Sequence, residues 1–196
     1  LYPFASHVHD LGGQRLHYID EGEGPPVVML HGNPTWSFYY RRLILALRQM
    51  HRVVAPDHLG CGLSDKPRHY PYTLRTHVRN LEDLLAALDL NDITLVVHDW
   101  GGAIGMGYAV RNIDRIARLV VSNTAAFPAK RCPWRIRACR IPYLGALAVR
   151  GLNLFARGAL TMAVARPERM TPDVRAGYLA PYGSWRERVA LHRFVQ

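Results

Sequence analysis

The chain has 196 residues, 49% of them hydrophobic, and carries 25 Lys and Arg against 15 Asp and Glu, a net charge of +10. This composition excludes a disordered chain and suffices for a sizeable core. No uninterrupted run of about 18 apolar residues occurs, so the sequence predicts no membrane span. Because Cys61, Cys132 and Cys139 do not pair evenly and no secretory pattern is present, we expect reduced thiols and a cytoplasmic location.

The positive charge is concentrated in the second part of the chain. Residues 1–124 hold 12 basic and 12 acidic side chains, whereas residues 125–196 hold 13 and 3, which accounts for the whole excess (13 − 3). Such a region can bind nucleic acid, an anionic membrane surface or an acidic protein, or it can be a solvated Arg-rich face. No nucleic-acid motif is present, so we predict no nucleic-acid binding. A protein partner, an anionic membrane surface and a solvated face remain open.

The first elements predict a hairpin followed by a buried strand. Residues 7–11 and 15–20 alternate polar and apolar around Gly12-Gly13, as in a β-hairpin with one wet face. Three hairpin histidines are therefore expected to be exposed rather than to act as ligands: His7, His9 and His17. Residues 27–30 are all apolar, which is typical of a strand buried on both faces.

The loop after that strand carries a candidate anion donor. Gly32 permits a tight turn and Pro34 fixes the exit, while Asn33 offers a backbone N–H and a side-chain NH₂. The alternative is an ordinary strand-to-helix turn. A helix over residues 36–50 follows, then a strand at 52–57 and a Gly-rich loop at 58–67. This loop lacks the Gly-Lys-Ser/Thr of a phosphate loop, so no nucleotide and no other cofactor is predicted.

A second strand-to-turn junction carries a candidate nucleophile. A helix from Thr73 precedes the apolar strand 93–97, and His98-Asp99-Trp100-Gly101-Gly102 then leads into a helix of small residues. This layout is typical of a nucleophile elbow, and a carboxylate at its apex, Asp99, can attack carbon and form an ester. The alternative is an Asp that caps the next helix.

The order of elements predicts an α/β fold with a parallel sheet wound by helices. A further strand at 118–122 ends at Asn123, and the carboxyl ends of parallel strands meet at one edge. We therefore expect Asn33, Asp99 and Asn123 to lie at the same edge. No metal-ligand spacing is present, so no metal site is predicted.

Beyond residue 126 prolines break short helical pieces and strands disappear. We divide the chain into a core at 1–126 and a basic helical cap at 127–196. Residues 144–164 are apolar and predict a helix hairpin that lies over an apolar cavity. The alternative is simply more helical domain.

The motifs in combination resemble a known family. Three segments are similar to those of the haloalkane dehalogenase family of the α/β-hydrolase fold. They are His31-Gly32-Asn33-Pro34-Thr35, the elbow at 98–102 and the loop at 60–67. Four further segments resemble one branch of this family, the cis-β-lactone (oxetan-2-one) decarboxylases of bacterial long-chain olefin biosynthesis. These segments are residues 1–7, 36–42, 123–127 and 180–185.

This resemblance implies roles for individual residues. Asp99 would be the nucleophile, and the N–H groups of Asn33 and Trp100 would hold the leaving group and form the oxyanion hole. Asn123 stands where some dehalogenases place the acid of the triad, and an amide cannot serve as that acid. The family's catalytic His lies near the C-terminus, whereas only His192 follows Asp99 here. We therefore interpret the chain as C-terminally truncated, without the last strands and helices, and expect it to be inactive by itself.

The resemblance also implies an activity on a hydrophobic small molecule. It is the decarboxylation of cis-3,4-dialkyl β-lactones to cis-alkenes and CO₂. The first alternative is hydrolytic dehalogenation of haloalkanes by the same Asp99. Further alternatives are epoxide hydrolysis, which requires cap tyrosines, and a non-catalytic interaction fragment. The candidate cap tyrosines are Tyr143, Tyr178 and Tyr182.

Overall fold

The structure is a computed structural model that describes residues 1–125 and 133–196, and its central element is a twisted sheet. The described strands are β1 (His7–Asp10), β2 (Arg15–Glu21), β3 (Pro26–Leu30), β4 (Arg52–Pro56), β5 (Ile93–His98) and β6 (Ile116–Ser122). Their order in the sheet is β1-β2-β4-β3-β5-β6. The strands β4, β3, β5 and β6 run parallel, while β1 and β2 form an antiparallel hairpin at one edge. The predicted parallel sheet with an N-terminal hairpin is confirmed.

Helices cover both faces of this sheet and follow it in the chain. The helices that alternate with strands are α1 (Arg41–Leu47), α2 (Leu74–Ala87) and α3 (Trp100–Ala109). Those that follow the sheet are α4 (Trp134–Cys139), α5 (Leu144–Ala146), α6 (Leu154–Met162), α7 (Pro172–Leu179) and α8 (Val189–Arg193). Helix α2 begins where the sequence predicts, because the Thr73 hydroxyl accepts a hydrogen bond from the Thr76 N–H at 3.2 Å.

The alternation of side chains along the apolar strands divides the core into two layers. Val28 and Leu30 point toward α2 and α3, where they join the cluster that contains Ile104. Val27 and Met29 point to the other face and pack in the cluster with Ile44 of α1. Both faces of β3 are therefore dry, which is why this strand carries no polar residue.

One hairpin histidine departs from the expectation of exposure. His7 and His9 are partly exposed, but His17 is buried, with 3% of its surface exposed. Its Nδ1 lies 2.9 Å from Oδ2 of the buried Asp57, which also accepts from the Ser37 N–H at 2.7 Å. The expectation was wrong for His17 because β2 is paired on both sides and the β4–α2 loop covers its inner face.

The described residues 133–196 form helices and turns without a strand. The predicted boundary between residues 126 and 127 lies outside the described residues. The apolar stretch 144–164 forms two helical segments, as the sequence predicts: α5 continues through a π-helical turn, Leu147–Gly151, and α6 follows. Asn153, at a φ of 55°, separates the segments.

Candidate active site

The strand-to-helix turn at Asp99 has the geometry of a nucleophile elbow. Asp99 has φ 49° and ψ −124°, a conformation that costs a non-glycine residue about 1–3 kcal/mol. The Thr124 hydroxyl donates a hydrogen bond of 2.5 Å to the Asp99 carbonyl and helps to hold this backbone. The Asp99 side chain makes no capping bond to α3, so the alternative of a helix-capping Asp is wrong. The turn presents the carboxylate at the carboxyl end of β5.

A close approach between two loops places the carboxylate. A Cβ atom at Gly32 would lie 2.3 Å from the Asp99 Cβ and 2.4 Å from its Oδ1. At Gly101 a Cβ would lie 2.1 Å from the Leu30 carbonyl oxygen. Only glycine allows the loop after β3 and the start of α3 to come this close.

Asn33 contacts the candidate nucleophile directly. Its backbone N–H donates a hydrogen bond of 2.7 Å to Asp99 Oδ1. Its side-chain Nδ2 donates to the Leu191 carbonyl of α8 at 3.1 Å, which fixes the amide plane. Asp99 Oδ2 accepts no hydrogen bond from the described residues and is the oxygen available for attack. The pair of Asn33 and Asp99 thus forms the polar end of the site.

Two buried histidines hold the loop that carries Asn33. His31 Nδ1 lies 2.9 Å from the Gly32 carbonyl, and His31 Nε2 accepts from the His58 N–H at 3.0 Å. His58 Nε2 in turn bonds the His31 carbonyl at 3.0 Å. Burial lowers the pKa of both imidazoles, further for His58, so each is neutral with a fixed tautomer. The sequence reasoning missed His58, although its position directly after β4, at the same sheet edge, is a usable signal.

A cavity of about 560 Å³ opens above the Asp99 carboxylate. Asn33, Asp99 and Asn123 all line it, as their strand-end positions predict. Apolar side chains of the helical part form most of the remaining wall. Among them are Val149, Leu154, Phe155, Leu160, Met162 and Met170. The cavity therefore has a polar end at Asn33 and Asp99 and a largely apolar wall, which Arg135 of α4 also lines.

Trp100 lies beside the cavity rather than in its wall. It is the first residue of α3, and its ring packs against Phe194 with centroids 5.0 Å apart. The residues that line the cavity in the described part of the chain do not include it.

The cap tyrosines occupy three different environments. Tyr178 lines the cavity, Tyr143 is 90% exposed, and Tyr182 is buried with its hydroxyl 3.1 Å from the Thr35 carbonyl. Tyr39, which the sequence reasoning did not single out, also lines the cavity and stacks on His98 at 4.6 Å. Burial, followed by Tyr178 and Asp99, raises the pKa of Tyr39, which keeps its phenol protonated.

The cysteines show no ligand cluster in the described residues. Cys61 and Cys139 are free thiols, and burial raises the pKa of both, to about 12 for Cys61. Cys132 lies outside the described residues. Across 1–125 and 133–196 no group of three or more His, Cys, Asp or Glu side chains could hold a metal ion. Nor does any helix of this part of the chain have the length and apolarity needed to cross a membrane.

Comparisons with known proteins agree with this geometry. The chain is 50% identical over 202 residues to a cis-3-alkyl-4-alkyloxetan-2-one decarboxylase of Shewanella oneidensis, covering 100% of this chain and 63% of that protein. It is 44% identical over 197 residues to the protein of the same name from Xanthomonas campestris, covering 94% of this chain and 65% of that protein. The chain thus spans less than two thirds of the length of these two relatives.

A solved structure and a family comparison extend the similarity to the fold. The haloalkane dehalogenase DatA of Agrobacterium tumefaciens superposes with a TM-score of 0.83 at 29% identity, over 97% of this chain and 67% of that chain. Residues 25–142 match the family described as alpha/beta hydrolase fold. With the parallel sheet and the elbow at Asp99, this match shows that the chain belongs to the α/β-hydrolase fold family.

Proposed function

We propose that the protein decarboxylates cis-3,4-dialkyl β-lactones to cis-alkenes and CO₂, with Asp99 as nucleophile. The observation that carries the proposal is the Asp99 carboxylate on its strained turn, at the polar end of a largely apolar cavity. The two relatives named oxetan-2-one decarboxylases, at 50% and 44% identity, support this choice of substrate class.

The reaction follows from the free oxygen of Asp99. Oδ2 attacks C4, the saturated ring carbon that bears an alkyl chain and the ring oxygen, and the bond between C4 and the ring oxygen breaks to release a carboxylate. The product of this step is an alkyl ester of Asp99. When the carboxylate then leaves as CO₂, the electrons of its C–C bond form the alkene and expel the Asp99 carboxylate. No water is consumed and no proton is transferred in net.

Hydrogen-bond donors at the polar end hold the negative charge. The Asn33 N–H already points at Asp99 Oδ1, and the Asn33 amide has a second hydrogen besides the one on the Leu191 carbonyl. We assign Asn33 and the Trp100 N–H to hold the carboxylate that ring opening releases. Trp100 supplies the N-terminal end of α3, where the helix dipole favours an anion.

The apolar wall of the cavity provides the surface that binds the two alkyl chains of the substrate. We propose that residues 127–196 act as a cap that closes over residues 1–126 and keeps the cavity dry. Phe155 and Leu160 of α6 and Met170 line the cavity on this side. Exclusion of water suits the reaction, because water would divert the ester of Asp99 to hydrolysis.

Haloalkane dehalogenation is the second candidate. It would use the same Asp99, with Asn33 and Trp100 holding a halide ion, and it is favoured by the similarity to a solved haloalkane dehalogenase. Epoxide hydrolysis is less well supported, because of the three candidate cap tyrosines only Tyr178 lines the cavity.

We further propose a cytoplasmic protein whose basic cap receives its insoluble substrate from an acidic partner of the same pathway. The support is charge alone, since the described residues 133–196 contain 11 Arg and no Lys against 3 acidic side chains.

Gas chromatography of alkene tests the proposed activity. The full-length protein is incubated with a long-chain cis-β-lactone, beside Asp99→Ala and the control Asp114→Ala, which removes an exposed carboxylate from a surface turn. Alkene from the unmodified protein and the control, but not from Asp99→Ala, supports the proposal. If the folded protein makes no alkene yet releases halide from 1-bromoalkanes, dehalogenation replaces it.

A further inference from the structure

A second cleft lies on the other side of the cap from the candidate active site. It encloses about 460 Å³, and four of its six lining residues are cationic: Lys66, Arg68, Arg150, Trp185, Arg186 and Val189. The π-helical turn Leu147–Gly151 separates the two spaces, because Val149 lines the apolar cavity and Arg150 lines the cleft. The mechanism proposed for Asp99 leaves this cleft without a role.

A buried arginine, Arg188, fixes the part of the cleft wall that carries Arg150. Arg188 is 8% exposed and donates to the carbonyls of Tyr182 at 2.8 Å, Gly183 at 2.7 Å and Gly151 at 2.9 Å, and also to that of Arg150. These bonds tie the turn at 150–151 to the turn at 182–183. The backbone that carries Arg150 is thus held in place before any ligand arrives.

The cations keep free hydrogen-bond donors. The Arg150 guanidinium lies 4.5 Å above the Trp185 ring, and its Nε donates to the Trp185 carbonyl at 3.3 Å. Among the described residues, both terminal nitrogens of Arg150 are without a hydrogen-bond partner and can bind a ligand. Lys66 Nζ donates to the carbonyls of Gly62 and Ser64, which leaves one of its three hydrogens.

The cations of the cleft form no ion pair with an acidic side chain in the described part of the chain. Every ion pair in the described part of the chain joins two residues within 1–125, and none involves a cation of the cleft. Burial, then Arg193 and Arg68, lowers the pKa of Arg150, as expected in a field of like charges. Glu187, Asp57 and Asp65 act electrostatically on Lys66 and offset part of its charge. The arginines of the cleft have no carboxylate within ion-pair distance among the described residues. A concave site with this field attracts anions.

We propose that this cleft binds the phosphate group of a ligand, independently of the activity assigned to Asp99. Four cations exceed the single charge of a carboxylate but suit a phosphate, which accepts several charge-assisted hydrogen bonds from Arg and Lys. The indole of Trp185, 44% exposed, offers apolar contact to the organic part of such a ligand. A soluble phosphate ester and a phospholipid head group share this chemistry.

Calorimetric titration with inorganic pyrophosphate tests the site in the full-length protein. We expect saturable binding that Arg68→Gln and Arg150→Gln each weaken at least 10-fold. The matched control Arg166→Gln removes an exposed cap charge outside the cleft and is expected to change Kd less than twofold. Arg68 makes no side-chain bond within the described residues, so its variant is expected to keep the fold, which a melting curve checks.

Sedimentation with vesicles distinguishes the two sources of phosphate. Binding to vesicles of phosphatidic acid in phosphatidylcholine that Arg68→Gln weakens identifies a lipid head group. Binding of pyrophosphate without binding to these vesicles identifies a soluble ligand. The proposal is overturned if neither probe binds, if Arg166→Gln weakens binding as much as Arg68→Gln, or if a poly-glutamate peptide binds the cleft where pyrophosphate does not.

Discussion

Single residues at the elbow determine where the reactive carboxylate lies. Asp99 has a strained backbone conformation with a positive φ. Position 32 must be glycine, because a Cβ atom there would lie 2.3 Å from the Asp99 side chain. The Asn33 N–H then binds the carboxylate that this contact positions. The site thus depends on one residue's strain and one residue's missing side chain.

Replacing Gly32 by Ala is expected to displace the nucleophile. A shift of about 1 Å at the reacting carboxylate can cost roughly 10²-fold in rate, so we expect kcat for the lactone to fall by about that factor while KM changes little. Steady-state alkene formation measures both constants. Gly183→Ala is the control, because its Cβ would meet only the Glu187 carboxylate at 3.4 Å. Equal kcat values for Gly32→Ala and the unmodified protein would contradict the assigned geometry.

Residue-level chemistry was partly predictable from the sequence. Asp99 and Asn33 were identifiable because each follows a buried strand, and strand ends converge. His58 follows β4 and could have been found by the same signal. Tyr39 could not, because its role depends on which way its ring turns after the chain has folded. His17 was misjudged for a similar reason, since periodicity gives the face of a strand but not what covers that face.

Helix α6 forms a large part of the apolar wall of the cavity. Ala156, Ala159 and Leu160 present small or apolar side chains to the space above Asp99. An amphipathic helix with small residues on its inner face leaves room for a long chain. The length of the alkyl groups is therefore expected to be selected at this element rather than at the elbow.

Filling the wall at Ala159 is expected to change chain-length preference. Ala159→Phe places a ring in the cavity, so the ratio of kcat/KM for a long-chain lactone to that for a short-chain lactone should fall at least ~10-fold, the value of one or two methylenes. Competition between the two lactones gives the ratio directly. Ala165→Phe, at an exposed position outside the lining, is the matched control. An unchanged ratio in Ala159→Phe would remove α6 from the substrate site.

Element-level structure followed from the sequence where local signals were strong. The apolar strands and the Thr73 cap are local, and both are confirmed. The predicted helix over 36–50 instead begins as a 3₁₀ turn, Ser37–Tyr40, and then forms α1, with Met50 68% exposed. The π-helical turn Leu147–Gly151 gave no signal in the sequence, and its last two carbonyls accept hydrogen bonds from the distant Arg188.

At the scale of the whole molecule, buried neutral histidines couple folding to pH. His31, His58 and His77 form a row, with ring centroids 4.3 Å and 5.9 Å apart. Burial, then His31, lowers the pKa of His77 to about 4, and neither of its nitrogens has a partner in the described residues. Because the unfolded chain binds protons more readily, acid favours unfolding.

The His77 contribution is expected to be lost between about pH 6.5 and pH 4. It is fully present above the unfolded pKa and disappears as the pH falls through the folded value, a change of up to about 3 kcal/mol for this residue. Urea unfolding at pH 7 and pH 4.5 measures the loss. His77→Phe keeps a ring against Phe194 and is expected to lose clearly less stability over the same interval. An equal loss in both proteins would assign the acid sensitivity to other groups.

The charge distribution divides the molecule in the same way as its architecture. The ion pairs of the described residues lie in the part that carries the sheet, whereas the arginines of the helical part lack acidic partners of this kind. The sequence predicted this asymmetry from residue counts. The concave cleft around Arg150 could not be predicted, because it joins Lys66 to residues more than 80 positions away.

The most direct measurement follows the oxygen of water during turnover of a cis-β-lactone. The full-length protein is incubated with the lactone in H₂¹⁸O, and the products and the peptide that contains Asp99 are analysed by mass spectrometry. Our account predicts cis-alkene and CO₂ in equal amounts, no β-hydroxy acid, and no ¹⁸O in Asp99, because the ester collapses without water. An ¹⁸O-labelled Asp99 together with a β-hydroxy acid would contradict it and show a hydrolase.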